Sequence, residues 1–211
     1  MRIIIILLIS LISLSALAEP KTLILNAQII NAPSRGFRTH TGPFTLAIDL
    51  PYGPMVALRE ALQIELSITN KLDFFKGWDP SGEAHITVIS PPEFINVLSK
   101  HLTEDDINNI ARFHEIQQAD VHVLGLGSGK PKTVKNNQET FFLIVESRKA
   151  RLIRMAIHAE YVRKGGQAQD WDPAWFFPHV TIGYYQGDVH ENQGLLKNIK
   201  HSWDSRFLIK Y

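Results

Sequence analysis

The chain has 211 residues, 45% of them hydrophobic, with 22 basic and 21 acidic side chains and no cysteine. That length can enclose the core of one domain or of two small lobes sharing it. The near balance of charge disfavours binding to long nucleic acid, which needs many phosphate contacts, and the missing cysteines exclude a disulfide framework.

Arg2 forms a short positive start, Ile3 to Leu14 is almost unbroken apolar sequence, and Ala16-Leu17-Ala18 is a small-x-small cleavage site ahead of Glu19 and Pro20. Residues 1–18 are therefore expected to be a cleaved export signal. The uncharged stretch is shorter than the roughly 20 residues of a spanning helix, and no cysteine follows it to take a lipid. Glu19–Tyr211 is expected to form one exported domain, periplasmic or secreted, monomeric and without a membrane anchor. Arg2 is the leader's one charge, so its removal leaves basic residues equal to the 21 acidic ones.

Phe44–Leu50 alternates as a strand does, and Pro51, Gly53 and Pro54 end it, with Pro54 suited to a first helical position. From Met55 to Thr69, Leu58, Leu62 and Leu66, with Ala57, Ala61, Ile64 and Ile68 beside them, recur at helical spacing and predict a wide buried face. The run Ala84–Ile89 reads as a strand closed by Pro91 and Pro92, followed by a short helix near Glu93–Leu102. Thr103 and Asp106 form an acidic variant of the capping box, opening an amphipathic helix through Ile107, Ile110, Ala111 and Phe113 to about Gln118. Val121–Leu126 and Thr140–Glu146 predict a hairpin with a long loop. A third helix runs from about Arg148 to Lys164, with an apolar face of Leu152, Met155, Ala156, Ala159 and Val162, and Gly165 or Gly166 stops it.

One tripeptide pattern occurs twice in this succession, each time in an apolar, β-branched run: His85-Ile86-Thr87 and His179-Val180-Thr181. Side chains alternate across a strand, so each His and Thr share one face while the residue between them points into the other layer. Trp78-Asp79-Pro80 and Trp171-Asp172-Pro173 precede the two histidines by seven and eight residues, each Asp-Pro marking a turn. The element order looks like one unit used twice with decoration.

Ala84-His85-Ile86-Thr87-Val88-Ile89 and Pro178-His179-Val180-Thr181-Ile182 resemble the paired His-apolar-Thr/Ser motifs of the 2H phosphoesterases, and the resemblance spans about residues 44–185. It implies an α+β fold of two pseudo-symmetric lobes, each an antiparallel sheet with helices outside and an active cleft between them. It also implies a metal-independent enzyme without cofactor, acting on cyclic or linear phosphodiesters of nucleotides or RNA ends. Hydrolysis needs a base to take a proton from water and an acid to give one to the departing sugar oxygen, and two imidazoles with ordinary pKa values near 6.5 can do both. Thr87 and Thr181 can donate hydroxyl hydrogen bonds to the non-bridging phosphate oxygens. An export signal departs from the intracellular RNA-repair role of such proteins, as does the lack of a strongly basic track.

Two other classes stay open: an exported module that binds a phosphorylated ligand without turnover, and a metal-dependent phosphohydrolase built on the same histidines with Asp ligands. A His and a Thr on a strand can also be no more than polar sheet surface. Trp78, Trp171 and Trp175, with Phe176 and Phe177, either pack loops on the core or stack a base at the cleft mouth, Trp171 being the substrate-binding candidate. Tyr184 and Tyr185 alternate faces, and Tyr184 is the second such candidate. Lys76, Lys130, Lys132 and Lys135 read as solvated loop residues. His40, His101, His114, His122, His158, His190 and His201 show no metal-ligand spacing and read as surface or core polar groups. Gly125-Leu126-Gly127-Ser128-Gly129-Lys130 is no phosphate loop, because its glycine-to-lysine spacing is wrong and Pro131 follows.

Overall fold

The computed structural model describes residues 19–25, 42–67, 84–132 and 138–210. The export leader, the Trp78-Asp79-Pro80 loop, Lys76, Lys135 and His40 lie outside the described residues. Among the described residues no helix is long and apolar enough to cross a membrane.

The architecture is α+β. Strand β1, Lys21–Ile24, pairs with β7, Phe207–Lys210, so that segments far apart in sequence lie side by side. That pair is parallel and stands beside the antiparallel sheets that the sequence predicts. Strands β2, Leu46–Leu50, and β3, Ala84–Ile89, form an antiparallel pair. Strands β4, His122–Gly129, β5, Glu139–Glu146, and β6, His179–Tyr185, form an antiparallel sheet with β5 in the middle. The motif strands β3 and β6 lie next to each other at the seam between these two sheets.

Helix α1, Tyr52–Ser67, starts two residues earlier than Pro54, which sits in the first turn, where a missing N–H costs nothing. Its buried stripe is Met55, Leu58, Leu62 and Leu66, narrower than the predicted face, and Ile64 is left exposed. Helix α2, Pro91–Asn96, takes Pro91 and Pro92 into its first turn, and Glu93 folds back to accept from the Ser90 backbone N–H at 2.9 Å. Helix α3, Glu104–Phe113, is capped as predicted: the Thr103 backbone N–H donates to Asp106 at 2.8 Å and the Asp106 N–H to the Thr103 hydroxyl at 3.2 Å. A separate 3₁₀ turn, Ile116–Gln118, completes the stretch predicted as one helix.

Helix α4, Arg148–Arg163, begins at Ser147, whose hydroxyl accepts from the Ala150 N–H. Its buried face is Ala150, Ile153, Arg154, Ile157 and Tyr161. The predicted face is thereby corrected, since Leu152, Met155 and Val162 are 48%, 59% and 39% exposed. The apolar pattern misleads because a fully buried arginine lies on the true inner face.

Most of the core is one cluster joining the helices, the β2–β3 pair and the inner face of the β4–β6 sheet through Phe141, Leu143, Val145, Val180 and Ile182. The outer face of that sheet carries a smaller cluster, Phe142, Ile144, Val189 and Leu195. Residues 186–198 fold over this face and lead into helix α5, Ile199–Ser202. The free edge of β2 is closed by an amide: the Asp49 backbone N–H donates to Gln117 Oε1 at 3.0 Å, and Gln117 Nε2 donates to the Ala47 carbonyl at 3.1 Å.

Candidate active site

The two motifs share more than a tripeptide. In the first half, Asp49 stands opposite His85 and Ala47 opposite Thr87, after which the register slips and leaves Val88 as an extra residue. In the second, Ile144 stands opposite His179 and Phe142 opposite Thr181, after which it slips again at Ile182. Each histidine strand thus bulges at the residue that follows its threonine. Bulges twist a strand and re-aim its side chains, and they gather beside functional sites.

The halves differ in what faces each histidine. Because Gln117 takes the Asp49 N–H and serves the Ala47 carbonyl, these backbone groups point away from β3. Asp49 and His85 are therefore a non-hydrogen-bonded pair, the type in which side chains approach most closely. Asp49 is buried and His85 half-buried, so the first histidine has a carboxyl group as its cross-strand neighbour where the second has Ile144.

His179 is half-buried among polar groups from the covering segment. Its Nδ1–H donates to the Phe177 carbonyl at 2.8 Å, which leaves the Nε2 lone pair facing Lys197 Nζ at 3.3 Å. Lys197 also donates to Asp188 Oδ1 at 3.0 Å, and its ammonium lies 5.3 Å from the centre of the Phe142 ring. Asp188 further receives hydroxyl bonds from Thr181, at 3.5 Å, and from Thr140, whose oxygen accepts the Val189 N–H at 2.7 Å. His190 Nε2 stands 3.8 Å from the same carboxylate.

The protonation states follow from these neighbours. Burial and then the Lys197 charge push His179 well below its ordinary 6.5, so its ring is neutral, protonated at Nδ1 and basic at Nε2. Burial lowers His190 in the same way. Burial opposes ionisation of Asp188, but Lys197, His190 and the hydroxyl donors outweigh it and hold its carboxyl below the usual range. Burial also pulls Lys197 down against the stabilising charge of Asp188.

Tyr184 belongs to this face because of the second bulge. Unbroken alternation from His179 and Thr181 would bring Tyr185 to their side, but the slip at Ile182 places Tyr184 opposite Thr140, on the face of Phe142 and Thr181. Tyr185 instead packs against the main core. Burial and then the Asp188 charge raise the Tyr184 phenol above its ordinary 10.0.

Trp171 is corrected from a stacking surface to a core residue. It is 6% exposed, its indole N–H donates to Glu93 Oε1 at 3.0 Å, and the Arg154 guanidinium covers its ring at 4.5 Å. Trp175 keeps half its surface, with its N–H on Glu191. The Trp171-Asp172-Pro173 turn is real: Asp172 Oδ1 accepts from the Ala174 N–H at 2.8 Å. Arg154 then ties this loop to the other half, donating to the Pro173 carbonyl at 2.9 Å, the Trp175 carbonyl at 3.1 Å, Glu93 at 2.9 Å and the carbonyl of the bulged Val88 at 2.7 Å.

Asp49, Thr140, Asp188, His190 and Lys197 carry no motif, and His190 had read as an ordinary polar residue. Asp188-Val189-His190, just after the second motif strand, is the one local hint, while Lys197 is placed by the fold-back of the covering segment. Among the described residues no group of three or more His, Asp or Glu is arranged to hold a metal ion. Gly125, Gly127 and Gly129 find their reason in packing, since a Cβ there would meet Trp203, Phe142 and Leu195 respectively.

A family model described as the Swiss Army Knife 2H phosphoesterase domain matches residues 45–190, which takes in both motifs and the covering segment as far as His190. No curated protein and no solved structure matches the chain.

Proposed function

Since the chain belongs to the 2H phosphoesterase family, we propose that it hydrolyses a cyclic, 2′,3′-type phosphodiester of a nucleotide or an RNA end. Family membership carries a phosphodiesterase-type function in general. The reading rests most on one observation, that β3 and β6 meet at the seam between two sheets with the same order of His, apolar residue, Thr and bulge.

One imidazole takes a proton from water as its oxygen attacks phosphorus. The other gives a proton to the sugar oxygen as the P–O bond to it breaks, leaving a phosphomonoester. Thr87 and Thr181 hold the non-bridging oxygens; for Thr181 this means turning its hydroxyl from the long bond to Asp188 onto phosphate. Tyr184 borders the same face. The balanced charge favours a small or terminal phosphate, and the leader motif favours a substrate met outside the cytoplasm. The enzyme acts without metal or other cofactor, as a monomer.

The test is a panel of 2′,3′-cyclic nucleotides and cyclic-phosphate-ended oligonucleotides, with and without EDTA. Turnover is expected in EDTA, with kcat lowered by about 10² to 10⁴ in His85→Ala and in His179→Ala. Full activity in either variant overturns the paired-histidine chemistry. Stoichiometric binding without product makes the protein a binding module, and EDTA-sensitive activity restored by a divalent ion makes it a metallohydrolase.

A further inference from the structure

We infer that Lys197 is a positioning residue of this site, clamped by Asp188 so that its ammonium holds His179 as the neutral Nδ1–H tautomer with its lone pair at Nε2. The inference deepens the phosphodiesterase reading and rests on it.

A lysine 4% exposed is rare unless its charge is matched, because taking an ammonium out of water is expensive. Lys197 is matched twice, by the Asp188 carboxylate at 3.0 Å and by the Phe142 ring. Its remaining interaction is the informative one. An ammonium only donates, so its contact at 3.3 Å requires a lone pair on His179 Nε2, and the Phe177 carbonyl requires the proton on Nδ1. The two partners together determine the tautomer, as the second nitrogen's hydrogen bond generally does for a working histidine.

The surroundings of His179 contain little that opposes this. The covering segment contributes Lys197, Asp188 and His190, and β6 itself adds Tyr184. Strand β5 presents Phe142 and Ile144, which carry no charge. Strand β3 brings His85 on the neighbouring motif. Helix α1 joins the core on the opposite face, through Leu58, Leu62 and Leu66. Asp188 favours an imidazolium but is claimed first by Lys197. In turnover the ammonium can shift to a non-bridging phosphate oxygen, releasing the Nε2 lone pair to accept the proton of water.

The experiment is ¹⁵N NMR of the histidine rings in the whole protein as pH is lowered, for the wild type, Lys197→Met and Lys197→Arg. In the wild type His179 is expected to stay neutral, protonated at Nδ1, through pH 6.5 to 5. In Lys197→Met it titrates about one to two pH units higher, and Lys197→Arg restores the wild-type behaviour. The acid limb of kcat/KM is expected to move upward with it. A folded Lys197→Met protein whose His179 titrates as in the wild type overturns the inference. So does a wild-type His179 that titrates near 6.5 or carries its proton on Nε2, an outcome that needs no variant to fold. Absence of turnover on every phosphodiester overturns the hydrolase reading instead and leaves the NMR titration to decide this one.

Discussion

Arg154 shows how one side chain can tie the two motif-bearing halves together. Its guanidinium is 1% exposed, and its donors go to three backbone carbonyls and Glu93, one of those carbonyls being that of Val88, which the bulge leaves unladdered. Burial opposes ionisation of Glu93, yet Arg154, the Ser90 N–H and the Trp171 indole outweigh it and keep its carboxyl below the usual range. Removing one partner of such a pair leaves a buried charge unmatched, which costs about 3–5 kcal/mol. Arg154→Met is expected to lose that much in urea unfolding, and Arg154→Lys nearly as much, since an ammonium cannot span the same fork. Arg154→Met with Glu93→Leu recovers part of the loss because no orphan charge remains; a single variant of wild-type stability would show the clip to be idle. None of this is legible in the chain, where Arg154 interrupts Leu152, Ile153 and Met155 and reads as the polar side of the helix.

At the scale of elements, the Thr103 capping box and the His-apolar-Thr strands were legible because each is a local pattern with a local cause. Thr103 and Asp106 satisfy each other's backbone within one turn, whatever else the chain does. The bulges were not legible, because a bulge is a mismatch between two strands distant in sequence. The same holds for the end of β4, where residues 127–129, expected in the long hairpin loop, continue the strand, and Gly125, Gly127 and Gly129 leave room for Trp203, Phe142 and Leu195. Gly127 pairs across from Phe142, and a Cβ at Gly127 would come within 2.4 Å of that ring. The ring lies 5.9 Å from the His179 ring and beneath Lys197. Gly127→Ala is therefore expected to cost about 1–3 kcal/mol of stability. It should also lower kcat, because the displaced ring moves the floor under both groups. Unchanged urea midpoint and kcat would show that the floor gives way freely.

For the whole molecule, the second layer over β5 and β6 covers an otherwise exposed sheet surface and surrounds His179 with Asp188, His190 and Lys197. Short, irregular residues 186–198 have no periodicity to announce that they return across the strand preceding them by only a few residues. Folding therefore creates His179 and His190 in surroundings that the unfolded chain lacks. Both are held below their ordinary 6.5 by burial first, so as pH falls past that value the unfolded chain takes up protons that the folded one refuses. The stabilisation linked to these two histidines is then complete above pH 6.5 and declines below it, since the state binding more protons gains with acid. Asp188, also lowered, extends the decline at still lower pH rather than reversing it. One unit of separation is worth about 1.4 kcal/mol, so moving from pH 7.5 to 5.0 is expected to cost at least about 1 kcal/mol in urea unfolding. His179→Gln should flatten that slope, because glutamine places no titrating group beside Lys197. Equal stability at the two pH values, or a slope that the variant leaves unchanged, would mean that the covering layer admits the proton after all.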